Sequence, residues 1–101
     1  MKGWKVDLDL ACEKQFAADL SSGALTADDR NVLLKWVKDV EDNGLPSAQA
    51  NRDWRDHELT RGQWTGHRAI SFSFRGRVIY RVVDVRLIVE VVRVTPDHND
   101  E

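Results

Sequence analysis

The sequence predicts an α+β domain, ordered β-α-α-β-β-β, with two helices packed on one face of a small, mainly antiparallel four-stranded sheet. Three observations carry this. Apolar residues alternate with polar ones near the start and again in three closely connected segments of the second half. Between them lie two stretches of helical spacing, each bounded by capping or breaking residues. The 101 residues are enough for one core and too few for two, so residues 1–101 read as one domain with a short polar tail over about 97–101.

The elements follow in order. Trp4, Val6, Leu8 and Leu10 alternate with Lys5, Asp7 and Asp9, which is the period of a half-buried strand. Cys12, Phe16 and Leu20 recur four residues apart, one face of a short helix that Ser21-Ser22-Gly23 ends. Thr26 with Asp29 three residues on is a near capping box. Behind it, Leu33, Trp36, Val37 and Val40 form the apolar stripe of a second helix, stopped by Asn43-Gly44 and Pro46. Residues 46–66 are polar and read as irregular, anchored by Trp54 and Trp64. Strands are expected over His67–Phe74, Arg77–Asp84 and Arg86–Thr95, with turns at Arg75-Gly76 and at Asp84-Val85-Arg86. Tyr80, between Ile79 and Arg81 in the middle strand, is assigned to the core, as is Cys12.

The net charge of −2 conceals a strong asymmetry. Residues 1–60 carry eight Lys/Arg and twelve Asp/Glu, −4; residues 61–93 carry seven Arg and two acids, +5; residues 94–101 carry three acids, −3. The expected sheet is therefore a basic patch on a mildly acidic body. Its cations are all arginine, the side chain suited to bidentate phosphate contact and to stacking on bases. Histidines bracket the region, His57 before it and His98 after it, with His67 between. Arginines and imidazoles on one small sheet are the parts needed to hold a phosphodiester and move protons on it.

Other classes are disfavoured. One cysteine makes neither an intramolecular disulfide nor a cysteine zinc site, which fits a reducing cytoplasm. The start MKGWKVDLDL lacks the apolar run of a signal peptide, and no segment approaches a membrane span. There is no phosphate-cradling Gly-rich loop and no metal-ligand motif. Neither a cofactor nor a metal is expected.

The residues Asp56-His57-x-Leu59, Trp64-x-Gly66-x-Arg68, Val78-Ile79-Tyr80-Arg81-Val82 and Asp84-x-Arg86-Leu87, with the late His98, resemble the RelE/ParE superfamily of bacterial toxin–antitoxin toxins, most closely its YafQ-like branch. The likeness covers residues 50–98, with one extra residue near Thr60–Arg61. Over residues 1–45 it rests on element order and Phe16. The resemblance implies a toxin that cuts messenger RNA without a metal, on the ribosome, and so inhibits translation. His57 and His98 fall on positions of catalytic histidines, and Arg77 on a phosphate-stabilising arginine. Arg68 falls where RelE has a lysine and, with Arg75, Arg93 and His67, is expected to contact RNA. Ser71 stands where the YafQ-like branch has a second catalytic histidine, with His67 as the expected substitute. Arg75-Gly76 replaces that branch's Asp-Trp pair.

The implied partners are a cognate antitoxin, its acidic segment lying over the basic sheet face, and messenger RNA on the ribosome. DNA would be met only through the antitoxin. Two rival readings share the fold: a non-catalytic ParE-like poison of DNA gyrase, and a degenerate toxin that only binds its antitoxin.

Overall fold

A computed structural model describes residues 3–71 and 76–83, and the backbone of residues 88–95. The chain runs β1 (Lys5–Leu8), α1 (Leu10–Ser22), α2 (Ala27–Asn43), α3 (Leu45–Ala50), β2 (His57–Glu58), β3 (Arg68–Ser71), β4 (Arg77–Val83) and β5 (Ile88–Thr95). The α+β class and the helix-then-sheet order are as expected from the sequence. Two short elements are additional. Pro46 opens α3 rather than ending structure, because a proline in the first turn removes no helical hydrogen bond. Leu45 and Ala48 give that helix a buried side. The two residues of β2 are too few for any alternation to be visible.

Local chemistry fixes the helix ends. The Thr26 hydroxyl accepts from Asp29 N–H at 3.1 Å, and the Asp29 carboxylate accepts from Thr26 N–H at 3.0 Å, a complete capping box. Gly23, at φ 87°, ends α1 in the left-handed region that an L side chain rarely adopts. The alternation of the first strand extends through Leu10 in sequence, but Leu10 opens α1 and is 65% exposed.

The sheet has the order β1-β5-β4-β3-β2. β1 runs parallel to β5, and the other neighbours are antiparallel. Ala69 faces Ile79, Ile70 faces Val78 and Ser71 faces Arg77 across β3 and β4. Ile70, Val78 and Tyr80 join Cys12, Leu33, Trp36 and Val40 in the main core between sheet and helices. On the opposite face Leu59, Ala69 and Ile79 form a second, smaller cluster roofed by Trp64. This division follows from the period of two along each strand. No helix among the described residues is long and apolar enough to cross a membrane.

Candidate functional site

The segment between α3 and β3 organises the site. Trp54 is half-buried against the main core. Its indole N–H donates to Asp39 at 2.8 Å, and its carbonyl accepts from Ser71 N–H at 2.8 Å. Two residues later the Asp56 carboxylate is 1% exposed and accepts from Arg68 Nε at 2.6 Å. It also accepts from the Tyr80 hydroxyl, which in turn accepts from the Gln49 amide at 3.2 Å. Gln49, Tyr80, Asp56 and Arg68 thus form one polar chain on the helix side of the sheet.

The electrostatics of this chain are coherent. Burial pushes the Tyr80 phenol well above its usual range, and its hydrogen bond to the Asp56 carboxylate pushes it further. For Arg68, burial works against the charge, but the hydrogen bond and the Coulomb attraction of Asp56 outweigh it and raise the pKa. A buried carboxylate is tolerated only when paired and hydrogen-bonded, and Asp56 meets both conditions.

Between these anchors lies Arg55 at φ 54°, the one non-glycine residue in the left-handed region among the described residues. Its carbonyl lies 3.0 Å from Nδ1 of His57. A carbonyl can only accept, so Nδ1 carries the hydrogen in that contact. In the neutral ring Nε2 is then the nitrogen with a lone pair, the one that can take a proton from substrate.

His57 pairs with Ala69, which pairs with Ile79. Residues directly opposite share a face, so His57 lies on the side of the second cluster, away from the helices. Asp56 and His57 are consecutive and project to opposite faces, one into the anchoring network and one into solvent. Around His57, Glu58, Thr60 and Arg61 line an open pocket of about 440 Å³.

Arg77 shares this open face, since it precedes Ile79 by two residues and pairs with Ser71. It is 7% exposed, so its charge lies within the sheet surface rather than on a mobile tip. His67 lies beside the same cluster, its ring edge-on to Trp64 with centroids 5.4 Å apart. Arg68, expected among the RNA contacts, lies on the helix side with its Nε committed to Asp56; its side chain is 35% exposed. Arg93 is placed by its backbone, in register with Ile79. His98 and Arg75 lie outside the described residues, as does the Asp84-x-Arg86-Leu87 motif. The structure therefore brings His57, His67 and Arg77 to one face and separates Arg68 from them. No three His, Cys, Asp or Glu among the described residues converge to hold a metal.

Sequence reasoning missed the network of Gln49, Asp56, Arg68 and Tyr80. Asp56 and Arg68 are 12 apart and Asp56 and Tyr80 are 24 apart, separations that no local periodicity links. The polar hydroxyl of Tyr80 among Val and Ile was the one available signal, because a buried phenol requires a partner.

No protein-family model matches the sequence, and no curated protein matches it. Solved structures do. A copper-bound mutant toxin from Helicobacter pylori matches with a TM-score of 0.68 and 21% identity, covering 97% of this chain and 96% of that one. YafQ in the E. coli DinJ–YafQ toxin–antitoxin complex matches with a TM-score of 0.66 and 19% identity, covering 92% and 91%. The archaeal RelE–RelB complex from Pyrococcus horikoshii matches with a TM-score of 0.68 and 13% identity, covering 96% and 98%. The TM-scores and the near-complete coverage in both directions give the chain the fold of the RelE-like toxins.

Proposed function

We propose that this chain is the toxin of a type II toxin–antitoxin system and acts in the cytoplasm as a metal-independent, ribosome-dependent endonuclease on messenger RNA. The observation that carries the reading is the shared face of His57 and Arg77, with Nε2 of His57 making no hydrogen bond among the described residues. His57 stands two strands across and two residues along from Arg77. At about 4.8 Å per strand and 3.4 Å per residue, that is about 12 Å between Cα positions, close enough for the buried charge of Arg77 to act on a phosphate held beside His57.

The chemistry is a transesterification. His57 Nε2 takes the proton of the ribose 2′-hydroxyl as the 2′-oxygen attacks the adjacent phosphorus. The P–O5′ bond breaks, and His98 returns a proton to the 5′-oxygen. The field of Arg77 stabilises the added negative charge on the phosphate, with Arg75, Arg93 and His67 binding the RNA alongside. Arg68, on the helix side and paired with Asp56, holds the site together instead of meeting this RNA. An acidic segment of a cognate antitoxin, covering this face, would exclude RNA by neutralising the same groups.

Primer extension on a defined message in a translating bacterial extract tests this. The wild-type chain should produce new in-frame 5′ ends. His57→Ala and His98→Ala should each lower cleavage by about 10²–10⁴-fold, the usual worth of one acid or base. Intact message with wild type would refute the nuclease. Ser71, standing where the YafQ-like branch keeps a histidine, favours the ParE-like reading as second, and a gyrase supercoiling assay would then decide between that and a toxin that only binds its antitoxin.

A further inference from the structure

We propose that Asp56 is the positioning residue of this site, holding the Arg55 carbonyl against His57 and thereby fixing which imidazole nitrogen faces the substrate. Its catalytic consequence rests on the nuclease reading; the arrangement itself does not.

A non-glycine residue at φ 54° persists only where its surroundings over-determine it. Arg55 is exposed, so its own side chain supplies no such hold. Its two neighbours do. Trp54 is fixed through Asp39 and Ser71, and Asp56 is fixed by Arg68 and Tyr80 from two different strands. With both flanking residues pinned, the peptide between them is left with the conformation that turns the Arg55 carbonyl onto His57 Nδ1.

His57 is exposed, and among the described residues its ring is held by one hydrogen bond, to the Arg55 carbonyl, so nothing bulky clamps it. A neutral histidine free in water prefers its hydrogen on Nε2. That form would leave Nδ1, close to the backbone, as the base. The carbonyl reverses the preference. The residue on the hidden face, just before the two-residue strand, therefore decides the state of the residue on the open face. Asp56 touches no substrate, since its carboxylate is 1% exposed and points to the helix side.

The test is the tautomer of His57, read by long-range ¹H–¹⁵N correlation on the full chain with the ring neutral. Wild type should show hydrogen on Nδ1. Asp56→Asn preserves shape but loses the charge that Arg68 and Tyr80 grip, and it should return His57 to the Nε2–H form. Arg68→Gln, at a half-exposed position, should do the same and serves if Asp56→Asn does not fold. Cleavage by either folded variant should fall by about 10²-fold in rate at saturation, with RNA affinity of Asp56→Asn unchanged. A wild-type ring with hydrogen on Nε2, or folded variants that keep the wild-type tautomer or the wild-type cleavage rate, would overturn the proposal. Absence of cleavage by wild type defeats the nuclease reading alone, because the tautomer is measured without substrate.

Discussion

Tyr80→Phe is the most direct probe of the buried network. The substitution removes one oxygen and leaves the ring packed against Trp36, whose centroid is 5.4 Å away. Two hydrogen bonds are lost. The one to the Asp56 carboxylate, a charged acceptor, contributes about 1.5–3 kcal/mol, and the one from Gln49, a neutral pair, about 0.5–1.5 kcal/mol. Asp56 stays buried with Arg68 as its remaining side-chain partner among the described residues, so little of the loss is recovered by water. The expected destabilisation is about 2–4 kcal/mol, a large share of the roughly 5–15 kcal/mol typical of a domain. In a chain of this size it lowers Tm by about 10–25 °C.

The same residue gives an optical test, because the chain has a single tyrosine. The folded phenol is raised above its ordinary value and the unfolded one titrates near 10. A raised folded pKa means that the contribution is complete below about pH 10 and is lost as pH rises toward the folded value, because the unfolded chain releases its proton first. Stability should therefore fall by up to about 1.4 kcal/mol per pH unit above 10. Phenolate absorbance should appear together with unfolding. Tyr80→Phe should lack this alkaline contribution. Reversible phenolate formation near pH 10 in the folded protein, or a Tyr80→Phe variant within about 0.5 kcal/mol of wild type by urea melt, would refute the buried network, since a satisfied buried group cannot be lost so cheaply.

Three further outcomes are expected. Thr26→Ala removes one half of the capping box at the start of α2 and should cost about 1 kcal/mol in chemical denaturation. Arg55→Gly relieves the positive φ, worth about 1–2 kcal/mol for an L side chain, against a glycine entropy cost of about 0.5–1 kcal/mol. It should leave the protein equally or slightly more stable, and a marked loss would mean that the Arg55 side chain matters to the fold. Asp39 is held below the usual carboxylate range by hydrogen bonds from the Asn43 amide and then the Trp54 indole. Its contribution is present above the unfolded value near 3.9 and is lost as pH falls through the lower folded value. Asp39→Ala should flatten the acid limb of a pH–stability curve, and a limb unchanged in slope would exclude Asp39 as a source.

Much of this molecule was legible in one dimension. Helical spacing located Cys12, Leu33, Trp36 and Val40 in the core, and the Thr26–Asp29 pair and Gly23 marked helix ends, because these signals act within a single turn of chain. Alternation located β4 and β5 for the same reason. His57 and Arg77 were picked out by residue type and by their order among neighbouring motifs, and the sheet register puts both on the open face. Other properties have no local signature. α3 and the two residues of β2 are held by tertiary contacts rather than by their own periodicity. Whether Arg68 meets solvent or Asp56 depends on which side of β3 it occupies, and a period of two turns a shift of one residue into a change of face.

The sequence by itself determined the composition of this protein's chemistry: an arginine-rich sheet, imidazoles at its margin, and apolar stripes sufficient to bury one side of it. Only the tertiary structure decided which of those groups share a face and in what state they stand. It sank Asp56 among Arg68, Tyr80 and Gln49 and turned the Arg55 carbonyl onto Nδ1 of His57. The reason is physical. Propensity and periodicity are properties of neighbouring residues, whereas a buried carboxylate, a strained peptide and a chosen tautomer are set by partners that meet only when distant strands pair.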